Sequence, residues 1–233
     1  MPDFPYRNAL IVGAGPGISA SLARQLTGLG VKVALAARNI RKLDALVQNT
    51  GAIAFVADTS DAASVAALFE QTKQRIGDPE IVVYNAAARA QGPLAELDAG
   101  TVQKALAVTA FGGFLVVQQA VKRMLPQSRG AILLTGATAS IKGFAHSAAF
   151  AMGKFALRGL AQSAARELGP KGIHVVHFVI DGAVRAEHRP DPAGKPDSTL
   201  DPDAIAQAYV DALRQPRSAW SQEVELRPWI EHF

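Results

Sequence analysis

The stretch Asn8-Ala9-Leu10-Ile11-Val12-Gly13-Ala14-Gly15-Pro16-Gly17-Ile18-Ser19 decides how the chain is read. The apolar run from Asn8 to Val12 predicts a short buried strand, and three glycines then break it. From Ile18 to Leu29 apolar residues recur at helical spacing, with Ile18, Leu22 and Leu26 on one face, and Gly30 supplies the stop. Strand, glycine turn and helix in that order give the glycines a meaning: they allow a tight turn and close approach of a ligand to backbone. The helix N-terminus beyond them stabilises an anion such as a pyrophosphate. The plainer alternative is a turn in which the glycines only ease the geometry.

Outward from this stretch, strand and helix alternate about seven times. Strands are expected at Val31 to Ala36, Ala52 to Ala57, Glu80 to Tyr84, Ala131 to Leu134, Ile173 to Ile180 and Glu223 to Leu226. Helices are expected at Ile40 to Gln48, Ala62 to Arg75, Thr101 to Met124, His146 to Leu168 and Pro202 to Leu213. The strands are continuous apolar runs without a period of two, as strands covered on both faces are. The fold class is therefore α/β, one doubly wound parallel sheet over residues 1–233, with no repeat or linker dividing it. Between Asp181 and Leu200 a polar stretch carries Pro190, Pro192, Gly194 and Pro196 after a strand's carboxyl end, so residues 183–200 are expected to form a substrate lid.

Composition narrows the rest. Hydrophobic residues make up 49% and charged residues 19% of 233, which gives a core and excludes a disordered chain. The absence of cysteine excludes disulfides, a thiolate zinc site and a cysteine nucleophile. Lys and Arg number 24 against 20 Asp and Glu, but the basic residues are scattered and aromatics are only 6%, so nucleic acid is not an expected partner. No apolar run reaches the ~20 residues of a membrane span, and no signal peptide is read at the start, so a cytoplasmic protein without membrane contact is expected. His174 and His177 lie three apart on a strand, which sends them to opposite faces, and no metal site is expected.

Two residues bear on the ligand of the glycine turn. Arg38 follows the second strand where a dinucleotide fold places an acid for an unphosphorylated ribose, or an arginine for a 2′-phosphate. Otherwise it is a solvated arginine at a helix start. Asp58 ends the third strand and would accept from an adenine amino group, or serve as an ordinary turn cap.

With these residues in view, the chain resembles the short-chain dehydrogenase/reductase family over almost its whole length. The family's Thr-Gly-x-x-x-Gly-x-Gly is similar to Val12 through Ser19, where Gly13 and Gly17 match and Ser19 replaces the third glycine. Asn-Asn-Ala-Gly is similar to Tyr84-Asn85-Ala86-Ala87, Tyr-x-x-x-Lys to Phe150 through Lys154, and the Pro-Gly after strand six to Asp181-Gly182. The resemblance implies a single Rossmann-type domain with a seven-stranded parallel sheet, commonly assembled as a homodimer or homotetramer. Alanines and Gly153 along the helix from His146 would suit helix packing between subunits. It implies an oxidoreductase using NADP in preference to NAD, held by Gly13, Gly15, Gly17, Ile18, Ser19, Arg38, Asp58, Asn85, Ala86, Lys154, Gly182 and Val184.

The departures fall on the family's catalytic Asn, Ser, Tyr and Lys. Thr109 stands at the Asn position, Ala137 at the Ser position and Phe150 at the Tyr position, and only Lys154 is retained. Phe150 has no proton to give, and a positioned general acid is typically worth ~10²–10⁴ in rate. Thr138, His146, Ser147, Tyr84 and Asp181 are the nearby candidates for a replacement. His146 lies four residues before Phe150, on its helical side if the helix has begun there. The expected activity is hydride transfer to a small carbonyl or a conjugated C=C substrate. The alternative is a non-catalytic NADP-binding protein with a structural, sensing or partner-binding role.

Overall fold

Seven strands follow the predicted apolar runs: β1 (Asn8–Val12), β2 (Lys32–Ala37), β3 (Ile53–Val56), β4 (Ile81–Tyr84), β5 (Gly130–Thr135), β6 (Ile173–Ile180) and β7 (Glu223–Leu226). The structure is a computed structural model and describes residues 4–230. All strand pairs are parallel, in the order β3-β2-β1-β4-β5-β6-β7. The chain runs outward from β1 to β3, then returns to β4 on β1's other side. The turns after β1 and β4 therefore diverge at a switch point, where open α/β sheets bind ligands.

The helices are α1 (Ile18–Gly28), α2 (Asp44–Thr50), α3 (Ala62–Ile76), α4 (Ala99–Leu106), α5 (Gly112–Met124), α6 (Ala148–Leu168) and α7 (Pro202–Leu213). Alternation along each strand divides the core into two layers. Ile11 and Phe178 join Leu22, Leu26, Tyr209 and Leu213 on the α1 and α7 face. Leu10 and Ile132 join Phe69, Val116 and Leu157 on the α3, α5 and α6 face. Tyr209 stacks on Phe178 at 3.7 Å, and its buried hydroxyl pairs with Thr135 Oγ1 at 2.9 Å.

Three sequence expectations change. The helix read as Thr101 to Met124 begins at Ala99, capped by Asp98 accepting from the Thr101 amide at 2.7 Å, and it is interrupted by a wide π turn at Ala107–Phe111. The whole helical run Ala99–Gln127, 29 residues, does have the length and apolarity of a membrane span, contrary to the sequence reading. Its apolar side, Val116 and Ala120 included, lies buried against the sheet. The helix read from His146 begins at Ala148. His174 and His177 lie on opposite faces and are bound locally, His174 to the Ser221 carbonyl and His177 to Glu223.

Candidate active site

The glycine turn is fixed from three sides. Gly13 and Ala14 both donate to the Ala36 carbonyl at 2.9 Å, which ties β1's end to β2. Gly13 has φ +82°, and a Cβ there would lie 2.3 Å from the Ala86 nitrogen. Only glycine allows the turns after β1 and β4 to approach so closely. Asn85 donates from its amide nitrogen to Ser19 Oγ at 2.9 Å and to the Gly13 carbonyl at 3.4 Å. Ser19, where the resemblance expects a glycine, is thus the buried partner of Asn85. At Gly15 and Gly17 an added Cβ would meet nothing within 4 Å, so their backbone borders open space before α1. Half-buried Ile18 begins that helix, whose first turn carries no acidic residue to oppose an anion.

This turn borders a cleft of about 500 Å³, with Arg38, Asn39 and Lys42 on one wall and Thr59, Asn85 and Ala86 on the other. Arg38 and Lys42 are exposed and make no salt bridge among the described residues. Asp58 feels the charge of Arg38, but as cations outside any salt bridge the two fit a phosphate-bearing nucleotide. Lys42 was not singled out from the sequence, although its spacing of four from Arg38 held the signal. Asp58 does not line the cleft. Its carboxylate caps the next turn by accepting from Ser60 N at 2.9 Å and Ser60 Oγ at 2.6 Å, and these bonds hold it below the usual carboxylate range.

Toward β5 the polar groups bond to the protein itself. Lys154, one turn after Phe150 on α6 and only 3% exposed, donates to the Thr135 carbonyl at 2.6 Å. Burial, and secondarily the charge of Arg89, pulls its ammonium down to about 7. Thr109 is fully buried in the π turn, where its Oγ1 accepts from Ala88 N at 3.0 Å and donates to the Ala88 carbonyl at 3.3 Å. Gly153 makes room for it, since a Cβ there would lie 2.8 Å from Thr109 Cβ. Tyr84 donates to the Val108 carbonyl of the same turn, and burial holds its phenol well above its ordinary value. It is a support behind the site, with no exposed hydroxyl.

The remaining candidates sit around this group. Ala137 is half-buried and donates its amide to Ser140 Oγ at 3.1 Å. Thr138 is half-buried and opens the short turn Thr138–Ser140. His146 is exposed, at φ +61°, before α6 has begun, so helical spacing does not set it beside Phe150. Its carbonyl accepts from Gly92 N at 3.1 Å, and Ser147 is the residue that precedes the helix. Asp181 is buried in an ion pair with Arg227 at 3.1 Å. Gly182, at φ +153°, packs on Pro228, and Val184 pairs with Leu200, so neither lines the 500 Å³ cleft.

The 183–200 segment is folded around one carboxylate. Asp191 accepts from Thr199 N at 2.9 Å and Asp197 N at 3.0 Å, and it pairs with Arg185 at 3.3 Å. Arg185 also pairs with Asp201, the cap of α7. The segment's Arg185 and His188 face Pro16 and Gly17 across a second cleft of about 530 Å³, beside the glycine turn.

One residue that sequence reasoning missed lies at the centre of the reaction side. The Arg89 guanidinium sits 3.9 Å from the centre of the Phe150 ring, and Lys154 Nζ lies 5.8 Å from the same centre. The only signal was a single basic residue inside the small-residue run Ala86 to Ala90, just beyond β4.

A glycine turn beside a cation-lined cleft at the switch point of a parallel sheet defines a dinucleotide-binding α/β protein. The family model described as short chain dehydrogenase matches residues 7–191, and the chain belongs to the short-chain dehydrogenase/reductase family of oxidoreductases. An uncharacterised oxidoreductase of Staphylococcus saprophyticus is 30% identical over 237 residues, covering 98% of this chain and all of its own length. A short-chain dehydrogenase structure from Rhodopseudomonas palustris is 32% identical with a TM-score of 0.82, covering 96% of this chain and 99% of its own. An alcohol dehydrogenase from the archaeon Thermococcus sibiricus, solved with 5-hydroxy-NADP, is 26% identical with a TM-score of 0.83, covering 97% and 98%.

Proposed function

We propose that the protein is an NADP-dependent oxidoreductase that reduces a small carbonyl or, more readily, a conjugated C=C substrate. The observation that carries this is the pair Arg38 and Lys42, two exposed cations on the wall of the 500 Å³ cleft that form no salt bridge among the described residues. They suit the 2′-phosphate that separates NADP from NAD, and the Thermococcus relative solved with an NADP derivative supports the choice. In this reading Gly13, Gly15, Gly17 and Ile18 hold the pyrophosphate at the start of α1, while Ser19 and Asn85 keep that turn in shape. Ala86 packs under the cofactor, and Lys154 holds the nicotinamide ribose hydroxyls. Gly182 and Val184 set the edge from which the 183–200 lid covers the site. Asp58 contributes through the turn that presents Thr59.

When bound, the cofactor supplies a hydride. The chain's own contribution is to orient the acceptor against Phe150 and to offset the charge that develops on it. Conjugated substrates fit best because their negative charge moves to an oxygen remote from the reduced carbon, away from the position where Phe150 offers no hydroxyl, and water supplies the proton that completes the reduction. A fluorescence titration tests the cofactor reading: NADPH binding tighter than NADH is expected, and no binding of either would overturn it.

The absence of a side-chain hydroxyl at Phe150 and Ala137 favours one second reading, a non-catalytic NADP-binding protein. The double change Phe150→Tyr with Ala137→Ser separates the two. Ketone reduction gained by the double variant, where the parent reduces nothing, supports the second reading; turnover by the parent excludes it.

A homodimer or homotetramer in the cytoplasm is part of the proposal. The small residues expected between subunits are partly internal, since Ala149 and Gly153 are buried in the chain. Phe111 and Phe114, stacked at 6.1 Å, with Met152 and Phe155, are the exposed apolar residues of the π turn, α5 and α6. They are the surface a second copy would cover. Sedimentation at equilibrium tests this, and a monomer would overturn it.

A further inference from the structure

The geometry points to Arg89, resting on the Phe150 ring, as a substrate-binding residue that takes an organic carboxylate, an inference that rests on reading this site as the oxidoreductase's reaction centre. Arg89 is exposed and forms no hydrogen bond or salt bridge among the described residues. Its guanidinium carbon nevertheless stands over the Phe150 ring, 3.9 Å from the ring centre. Stacking uses the face of the guanidinium and leaves its edge, with five N–H donors, unoccupied. That edge matches a carboxylate two bonds at a time.

The group is held in advance of any ligand. On one side of it Ala88 is bonded through both its amide and its carbonyl to Thr109 Oγ1. On the other, Ala90 is 5% exposed and packs with Ala105 and Ala149 in a small cluster. Thr109, standing at the family's Asn position, therefore positions Arg89 through the backbone. Holding the side chain beforehand lowers the entropy lost on binding.

The charge around it is one-sided. Lys154 lies across the same ring, and Arg89 is the charged group that acts on it; no carboxylate does. The acid at the end of β6, Asp181, is already paired with Arg227. A neutral ketone would leave the Arg89 guanidinium uncompensated. An acid anion supplies the missing charge at the guanidinium, beside the ring that the arginine covers. An unsaturated acid is the substrate class that joins this requirement to the conjugated C=C preference.

The test is calorimetric titration of the full chain, with and without saturating NADPH, using crotonate and its uncharged counterpart crotonamide at one ionic strength. Crotonate is expected to bind about tenfold more tightly than crotonamide. Arg89→Ala should abolish that preference, and Arg89→Lys should restore part of it, because the charge returns without the planar fork. Equal affinities, no binding of either probe, or a preference that survives Arg89→Ala would overturn the inference. If crotonate selectivity persists in a protein that binds no NADPH, the inference stands and the oxidoreductase reading falls.

Discussion

The two ends of the ligand cleft lie on the same strand tips but treat their polar groups in opposite ways. Beside β1 and β2, Arg38 and Lys42 line the cleft and form no salt bridge among the described residues, and the backbone of Gly15 and Gly17 borders open space. Beside β5 and α6 the buried groups are bound within the chain, Lys154 to Thr135, Thr109 to Ala88, Ser140 to Ala137 and Asp181 to Arg227. At the rim the side chains of Thr138, His146 and Ser147 form no hydrogen bond among the described residues. At the first end a ligand must bring the missing charge. At the second the buried residues fix one another, and Arg89 is the rim cation left to meet a substrate. Hydrogen-bond satisfaction thus separates a surface prepared for binding from one prepared for rigidity.

Four variants sharpen or break that contrast, and the largest effect belongs to the point where the two turns meet. Gly13→Ala forces a Cβ to 2.3 Å from Ala86 N at a left-handed φ. It should abolish NADPH binding and cost roughly 1–3 kcal/mol of stability, read by denaturant unfolding. An alanine variant that still binds NADPH would mean the turns need not touch. Next comes the double change Arg38→Ala with Lys42→Ala. Without these two charge-assisted hydrogen bonds, NADPH affinity should fall about a hundredfold while NADH affinity stays where it was. Equal weakening of both would show that these cations serve the whole dinucleotide and not its extra phosphate.

Lys154→Met removes the buried cation of the second end and should weaken NADPH about tenfold, by titration. It also carries a pH signature. The folded ammonium titrates near 7 and the unfolded one near 10.5, so the unfolded chain holds the extra proton between those values. The parent should therefore gain stability from this group as pH rises through that window, and the variant should lose that gain. An unchanged pH profile would mean Lys154 is not the buried cation described. The smallest effect is expected at Ser19→Ala, about 1 kcal/mol, because a half-buried Asn85 amide loses its best acceptor. A neutral result would leave Gly13 as the sole anchor of the turn.

Much of this was legible in the chain itself. Strands covered on both faces appear as unbroken apolar runs, so the parallel sheet and its order of elements could be read from Leu10, Val82 and Ile132 and their neighbours. The glycine turn carried its own signal. What escaped were features set by contacts distant in sequence. The π turn depends on Tyr84 and Ala88 meeting residues more than twenty positions away. Arg89 looked like an isolated surface charge because the ring it rests on lies about sixty residues later. Asp58 had two chemically sensible roles, and its bonds to Ser60 two residues on show it as a turn cap. His146 was misplaced because a left-handed residue ended the helical spacing before it could begin.

The Asn85–Ser19 bond also has a consequence for descent. The resemblance sets asparagine at position 85 beside glycine at position 19, so one exchange at 19 gave an existing amide an acceptor 2.9 Å away and needed no second change. The same amide reaches the Gly13 carbonyl at 3.4 Å, an acceptor that does not depend on residue 19. The serine is then a reinforcement added to a turn that could stand without it.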